Sequence, residues 1–240
     1  MILKVKYKEV THVTDEKTNF SLERESLKKE MGVLSCSDLS EKHFNFLLNH
    51  ECTIKANDAL AGHIENQFFF DDWPEDFEKY LCNKVLNDNY LKNWAKESKL
   101  LNDNDLLSLS GLWINKQKKY EFNPIHKHTG IFSFIIPLQI PYDLNEEDKI
   151  FTIGISENTP KTSRLEFLKS DNNEIKGYCL NVDKSYVGKV LLFPATLSHM
   201  VYPFFTSDDI RITVSGNIVL KDEPKMFYKG QNENSTSRMA

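Results

Sequence analysis

Three histidines in the second half of the chain have spacings that suit a metal. In Asn123-Pro-Ile-His126-Lys-His128-Thr-Gly130 two imidazoles lie two residues apart, so on an extended backbone both project from one side and Lys127 from the other. Two ligands on one strand can chelate one ion. The third, His199, follows an apolar run and a proline turn in Gly188-Lys-Val-Leu-Leu-Phe-Pro194-Ala-Thr-Leu-Ser-His199, where a new strand opens. Taken singly, each is equally well read as a polar strand end. Taken together, they can converge from different strands on one ion and leave coordination positions open.

Beyond His199, the stretch Asp209-Ile-Arg211-Ile-Thr213-Val-Ser215-Gly-Asn217 alternates, with Arg211, Thr213 and Ser215 on one face and Ile210, Ile212 and Val214 on the other. A cation among β-branched neighbours on an inner strand needs a partner. Guanidinium binds a carboxylate through two parallel hydrogen bonds, and Thr213 can add a hydroxyl beside it. The competing reading is a salt bridge on a solvent-facing sheet. In Leu112-Trp113-Ile-Asn115, Asn115 shares a face with Trp113 and can donate to a bound carboxylate. Asn217 has a comparable claim, whereas Trp113 reads as packing.

These residues need a β framework. From Leu107 onward short apolar runs alternate with turn-formers, which predicts strands over 106–117, 130–140, 150–155, 164–168, 175–182, 188–193, 198–204 and 209–220. No helical stretch separates them to make parallel crossovers, so a jelly roll or barrel is expected. An immunoglobulin-type sandwich lacks its Cys, Trp, Cys spacing. Upstream, the spacing predicts a strand at the N-terminus and a short helix after Ser40. A helix over 72–98 follows, broken near Asn87 to Asn89. The fold class is therefore mainly β with N-terminal helices (α+β). A helical support region occupies 1–104, a jelly-roll core 105–222 and a mobile polar tail 223–240.

Lys and Arg number 30 against 35 Asp and Glu, a net charge of -5, so no net positive field draws the chain onto nucleic acid or an anionic membrane. Four scattered cysteines without a Cys-x-x-Cys pair read as reduced thiols. No run approaches the roughly 20 apolar residues of a membrane-spanning helix, and the N-terminus lacks a signal peptide's apolar region. A soluble, cytoplasmic protein is expected. The sequence does not fix its oligomeric state.

The order His126-x-His128, Gly188 to Pro194, His199 and Arg211-x-Thr213 resembles the Fe(II) and 2-oxoglutarate dependent dioxygenases of the double-stranded β-helix fold. More specifically, Asn57-x-x-Leu-x-Gly-His-Ile-Glu, Leu112-Trp-Ile-Asn-x-Gln-Lys-Lys, Glu121-Phe-Asn-Pro-x-His-x-His and Phe132-Ser-Phe with Ile140-Pro-Tyr-Asp resemble oxygenases of this superfamily encoded by marine bacteriophages. The resemblance covers about residues 55–220. It implies a jelly roll holding Fe(II), with His126 and His199 in the places of the two family histidines and His128 as the candidate third ligand, 2-oxoglutarate on the metal and its far carboxylate on Arg211. Thr213, Asn115 and Asn217 would be further cosubstrate contacts. It also implies a hydroxylase-type reaction in a host cytoplasm.

His128 stands where most of the superfamily has Asp or Glu, which leaves an Fe(II) site one unit more positive. Three outcomes stay open: a three-histidine triad, a carboxylate such as Asp143 or Glu166 from elsewhere, or metal binding without turnover. Two other functions compete with the oxygenase. One is a cupin-type metal protein or dioxygenase that does not use 2-oxoglutarate, although no glutamate follows three to five residues after His128. The other is a non-catalytic jelly-roll interaction protein. Protein side chain, nucleobase, sugar and small metabolite all remain open as the primary substrate.

Overall fold

The architecture comes from a computed structural model that describes residues 5–7, 34–150 and 161–223. Most of the predicted N-terminal strand, all but the first residue of the predicted strand 150–155 and nearly all of the polar tail lie outside the described residues. Twelve strands are present among the described residues: β1 (Val5–Tyr7), β2 (Ser35–Asp38), β3 (Ile54–Lys55), β4 (Asn66–Phe69), β5 (Leu107–Gln117), β6 (Asn123–His126), β7 (Phe132–Gln139), β8 (Leu165–Asp171), β9 (Glu174–Leu180), β10 (Lys189–Pro194), β11 (Ser198–Val201) and β12 (Arg211–Leu220). Helix α1 (Glu41–Asn49) is capped by the Ser40 side chain on the His43 amide. Helices α2 (Glu75–Asn87) and α3 (Asn89–Glu97) are divided at Asp88, whose carboxylate accepts from Tyr90 N and Leu91 N. A short α4 (Leu144–Glu147) follows β7.

The strands form two sheets. A seven-stranded sheet runs β2-β10-β7-β12-β5-β4-β3, and a five-stranded sheet runs β1-β9-β8-β11-β6. This is a double-stranded β-helix, and apart from the parallel β1·β9 pair every strand pairing is antiparallel. The support region shares the larger sheet with the β core, because β2 pairs with β10 and β4 with β5.

Alternation divides the larger sheet chemically. Leu112, Ile114, Phe132, Phe134, Ile136, Val190, Leu192, Val214 and Ile218 turn outward and are buried in one core with Leu47, Phe77, Leu81, Val85 and Leu91 from the helices. Helices roof that face, so it can be wholly apolar without meeting water. A second core, with Leu165, Phe167, Leu180, Leu191, Phe193 and Phe204, takes residues from both sheets. The opposite face of β5 and β12 carries Asn115, Gln117, Arg211, Thr213 and Ser215 into the space between the sheets. The register sets Arg211 beside Gln117, Thr213 beside Asn115 and Ser215 beside Trp113.

Candidate metal centre and cosubstrate pocket

β6 and β11 are neighbours, and their pairing puts His199 directly opposite His126. His128 follows two residues later, its backbone amide bonded to the Ala195 carbonyl at 2.8 Å. Ring centroids are 4.2 Å apart for His126 and His199, 4.9 Å for His126 and His128, and 5.1 Å for His128 and His199. One potential ligand atom from each lies within 4.8 Å of the other two, and among the described residues no other group of His, Cys, Asp or Glu is placed this way.

The tautomers are set locally. His126 Nδ1 lies 2.7 Å from the Pro124 carbonyl and His199 Nδ1 3.0 Å from the Leu197 carbonyl. A carbonyl can only accept, so both Nδ1 atoms carry the proton and both Nε2 atoms keep a free lone pair for a metal. Burial also keeps the rings neutral: the His128 pKa is pushed down to about 4 and that of His199 to about 3. His126 is lowered too, again chiefly by burial, against an opposing effect of its bond to the Pro124 carbonyl. Neutral imidazole is the ligating form, so the donor set fits a divalent transition metal.

Neither alternative carboxylate joins the cluster. Asp143 caps α4 on the Asn145 amide, and Glu166 is taken up by Lys161 at 3.1 Å and the Tyr202 hydroxyl at 2.6 Å.

Arg211, 3% exposed, lines the same pocket as the histidines, together with Thr213 and Asn115. Its fork is not empty. Nε and Nη2 donate to Gln117 Oε1 at 3.1 and 2.7 Å, Nη1 to the Tyr142 hydroxyl and Ser163 carbonyl, and Nη2 also to the Tyr202 carbonyl. All five N–H groups are thus satisfied. Ser163 reaches Arg211 from a left-handed backbone, φ 65°. Every acceptor is neutral, and among the described residues no carboxylate pairs with the guanidinium. A desolvated positive charge without an anion is the condition a ligand carboxylate relieves.

Asn115 lines the pocket, with its Oδ1 accepting from Gln67 Nε2 at 2.9 Å. Asn217 is placed differently. It accepts from the Ser133 hydroxyl and lines a second cavity, which His126 and His128 also line but Arg211 does not. Six residues of strand separate it from Arg211 by roughly 20 Å, too far to share one small cosubstrate. Phe132 and Phe134 lie in the helix-side core, and Phe193 stands behind His199 at 4.9 Å between centroids. Gln117, Tyr142 and Ser163 were not anticipated. The alternation that selected Asn115 would have selected Gln117 as well, two residues further along the strand.

Residues 111–217 match the model of a family described as "Putative 2OG-Fe(II) oxygenase". The matched segment runs from β5 to β12 and contains the triad and Arg211. The cofactors of that family are Fe(II) and 2-oxoglutarate, and the three histidines form a group that could hold a metal ion. No curated protein matches the chain by sequence. Among solved structures, a Burkholderia pseudomallei oxidoreductase of the 2OG-Fe(II) oxygenase family aligns at 9% identity over 89% of this chain and 93% of its own, TM-score 0.43. A Pseudomonas putida prolyl-4-hydroxylase aligns at 11% identity over 80% and 96%, TM-score 0.47. A Trichoplax adhaerens prolyl hydroxylase, solved with a hypoxia inducible factor peptide, aligns at 12% identity over 88% and 93%, TM-score 0.41.

Proposed function

We propose that this protein is an Fe(II)- and 2-oxoglutarate-dependent oxygenase of hydroxylase type, with His126, His128 and His199 as the metal ligands and Arg211 as the cosubstrate anchor. The observation that carries the reading is that three neutral, inward-facing imidazoles and one buried cation without an anion line a single pocket. Bound there, Fe(II) and 2-oxoglutarate would supply the oxidation: dioxygen and 2-oxoglutarate are consumed, succinate and carbon dioxide are released, and a substrate C–H becomes C–OH. The chain's own part is binding and orientation. His126 and His199 present Nε2 because their Nδ1 protons are tied to backbone carbonyls. Arg211 answers the far carboxylate of the cosubstrate, which exchanges with or shares the neutral acceptors now on the fork. Thr213, one alternation along β12, adds a hydroxyl. Apolar Ile135, Leu165, Leu191 and Val201 exclude water between the two. All four cysteines are free thiols, which suits a reducing compartment such as the cytoplasm.

The filled fork favours one second reading, a three-histidine metal protein that works without 2-oxoglutarate. Titration calorimetry of the anaerobic protein with Fe(II), then 2-oxoglutarate, followed by a succinate assay, separates the two. Metal-dependent 2-oxoglutarate binding and slow succinate release are the expected results. Metal binding without any response to 2-oxoglutarate would transfer the assignment to the second reading.

A further inference from the structure

The acceptors around Arg211 differ in how firmly they are held. Ser163 and Tyr202 offer backbone carbonyls from two segments tied to each other, with Ser163 N donating to the Pro203 carbonyl at 2.8 Å and Tyr202 N to the Arg164 carbonyl at 2.9 Å. The Tyr142 hydroxyl is fixed too. Its residue is 2% exposed, and its proton is shared between the Ser163 and Val182 carbonyls at 3.2 and 3.1 Å. Gln117 is of another kind. It reaches the guanidinium with a rotatable side chain, whose Nε2 donates to the Glu121 carbonyl in the turn directly after β5.

The position that Gln117 holds is also the one that suits a carboxylate. Its Oε1 accepts from both Nε and Nη2, at 3.1 and 2.7 Å, so one neutral oxygen spans an edge of the fork that matches the two oxygens of a carboxylate. Gln117 and Ser163 line the pocket of the three histidines, whereas Tyr142 and Tyr202 do not. Of the two that do, only the amide side chain can turn aside.

We infer that Gln117 is an internal competitor of the cosubstrate: its amide oxygen occupies the Nε and Nη2 edge of Arg211, and the far carboxylate of 2-oxoglutarate binds by taking that edge from it. This rests on the oxygenase reading. Gln117 is thus a positioning residue that sets the affinity of the pocket through Arg211. Its neutrality is essential. An amide oxygen yields to a full negative charge, whereas a carboxylate at this position would pair with Arg211 permanently and shut the cosubstrate out. The exchange keeps the buried guanidinium hydrogen-bonded before and after binding.

The test measures 2-oxoglutarate binding by titration calorimetry on the full chain loaded with Mn(II), and thermal unfolding of the same protein without 2-oxoglutarate. Gln117→Met, similar in length but a poor acceptor, should bind 2-oxoglutarate about tenfold more tightly, the order expected of hydrogen bonds to a charged group. Its unfolding temperature should fall by about 4 °C. Affinity and stability thus move in opposite directions, which a merely structural glutamine would not produce. Gln117→Glu should weaken 2-oxoglutarate binding by about tenfold or more while Mn(II) affinity stays at the wild-type value. A wild type that binds 2-oxoglutarate while Gln117→Met binds it no more tightly, or Gln117→Glu binds it equally well, overturns this inference alone. Failure of the wild type and both variants to bind 2-oxoglutarate removes the oxygenase reading and this inference with it.

Discussion

At His128 the ligand set departs from the carboxylate that the resembled superfamily usually carries, and the site loses one negative charge. His128→Asp should therefore retain or raise Fe(II) affinity, whereas His199→Ala should abolish it; metal titration checks both. Equal loss in the two variants would mean that the geometry accepts imidazole only. Arg211 gives the second prediction. Removing a buried charge that meets a desolvated carboxylate should weaken 2-oxoglutarate binding by about 2–5 kcal/mol. Arg211→Lys should not restore it, because an ammonium cannot reproduce the fork. Wild-type affinity in both variants would end the cosubstrate assignment. The histidines also set a pH dependence. Their folded values lie below the ordinary 6.5, at about 4 for His128 and about 3 for His199, so between those limits the unfolded chain binds more protons than the folded one. The stability of the metal-free protein is then full above pH 6.5 and falls steadily as the solution is acidified toward pH 3–4. Denaturant midpoints measured across that range should drop toward acid, and a flat profile would contradict the burial of these rings.

At the scale of elements, the loop between β11 and β12 is held by Glu147 at the end of α4, a fully buried carboxylate that accepts from Phe205 N at 2.9 Å, Thr206 N at 2.8 Å and the Thr206 hydroxyl at 2.6 Å. That loop carries the Tyr202 carbonyl that holds Arg211. Glu147→Ala should cost about 2 kcal/mol of stability, read from urea unfolding, and should weaken 2-oxoglutarate binding as well. On β12 a side chain at Gly216 would meet Phe134 Cζ at 2.5 Å and the Gly111 carbonyl at 2.6 Å. Gly216→Ala should destabilise by about 1–3 kcal/mol, seen as a lower Tm, without touching the pocket. Long strands such as β5, β7, β10 and β12 were legible because their alternating or apolar runs last six residues or more, and so were α1 and the break at Asp88. β2, β3 and β4 were not, since two to four residues contain too little of a period and their partners are distant in sequence. The site divides in the same way. Histidine and arginine announce their chemistry by type, whereas Gln117 becomes distinctive only when the fold buries it.

For the molecule as a whole, the two faces of the larger sheet have separate duties. The helix-covered face holds a large apolar core, and the opposite face carries polar groups that a core would not choose. Several ion pairs, such as Lys79–Glu75 and Lys118–Glu65, join two exposed side chains and contribute little individually. β6 forms one edge of the smaller sheet. It is four residues long, contains Pro124, which cannot donate a backbone hydrogen bond, and meets β11 with a shift in register between His199 and Val201. An ion shared by His126 and His199 would act as a cross-link between that edge strand and its neighbour, fastening a boundary that the backbone secures only loosely. Chelating the metal should therefore increase amide hydrogen exchange first along residues 123–126, and the bare strand edge would become the place where metal-starved protein begins to associate with itself.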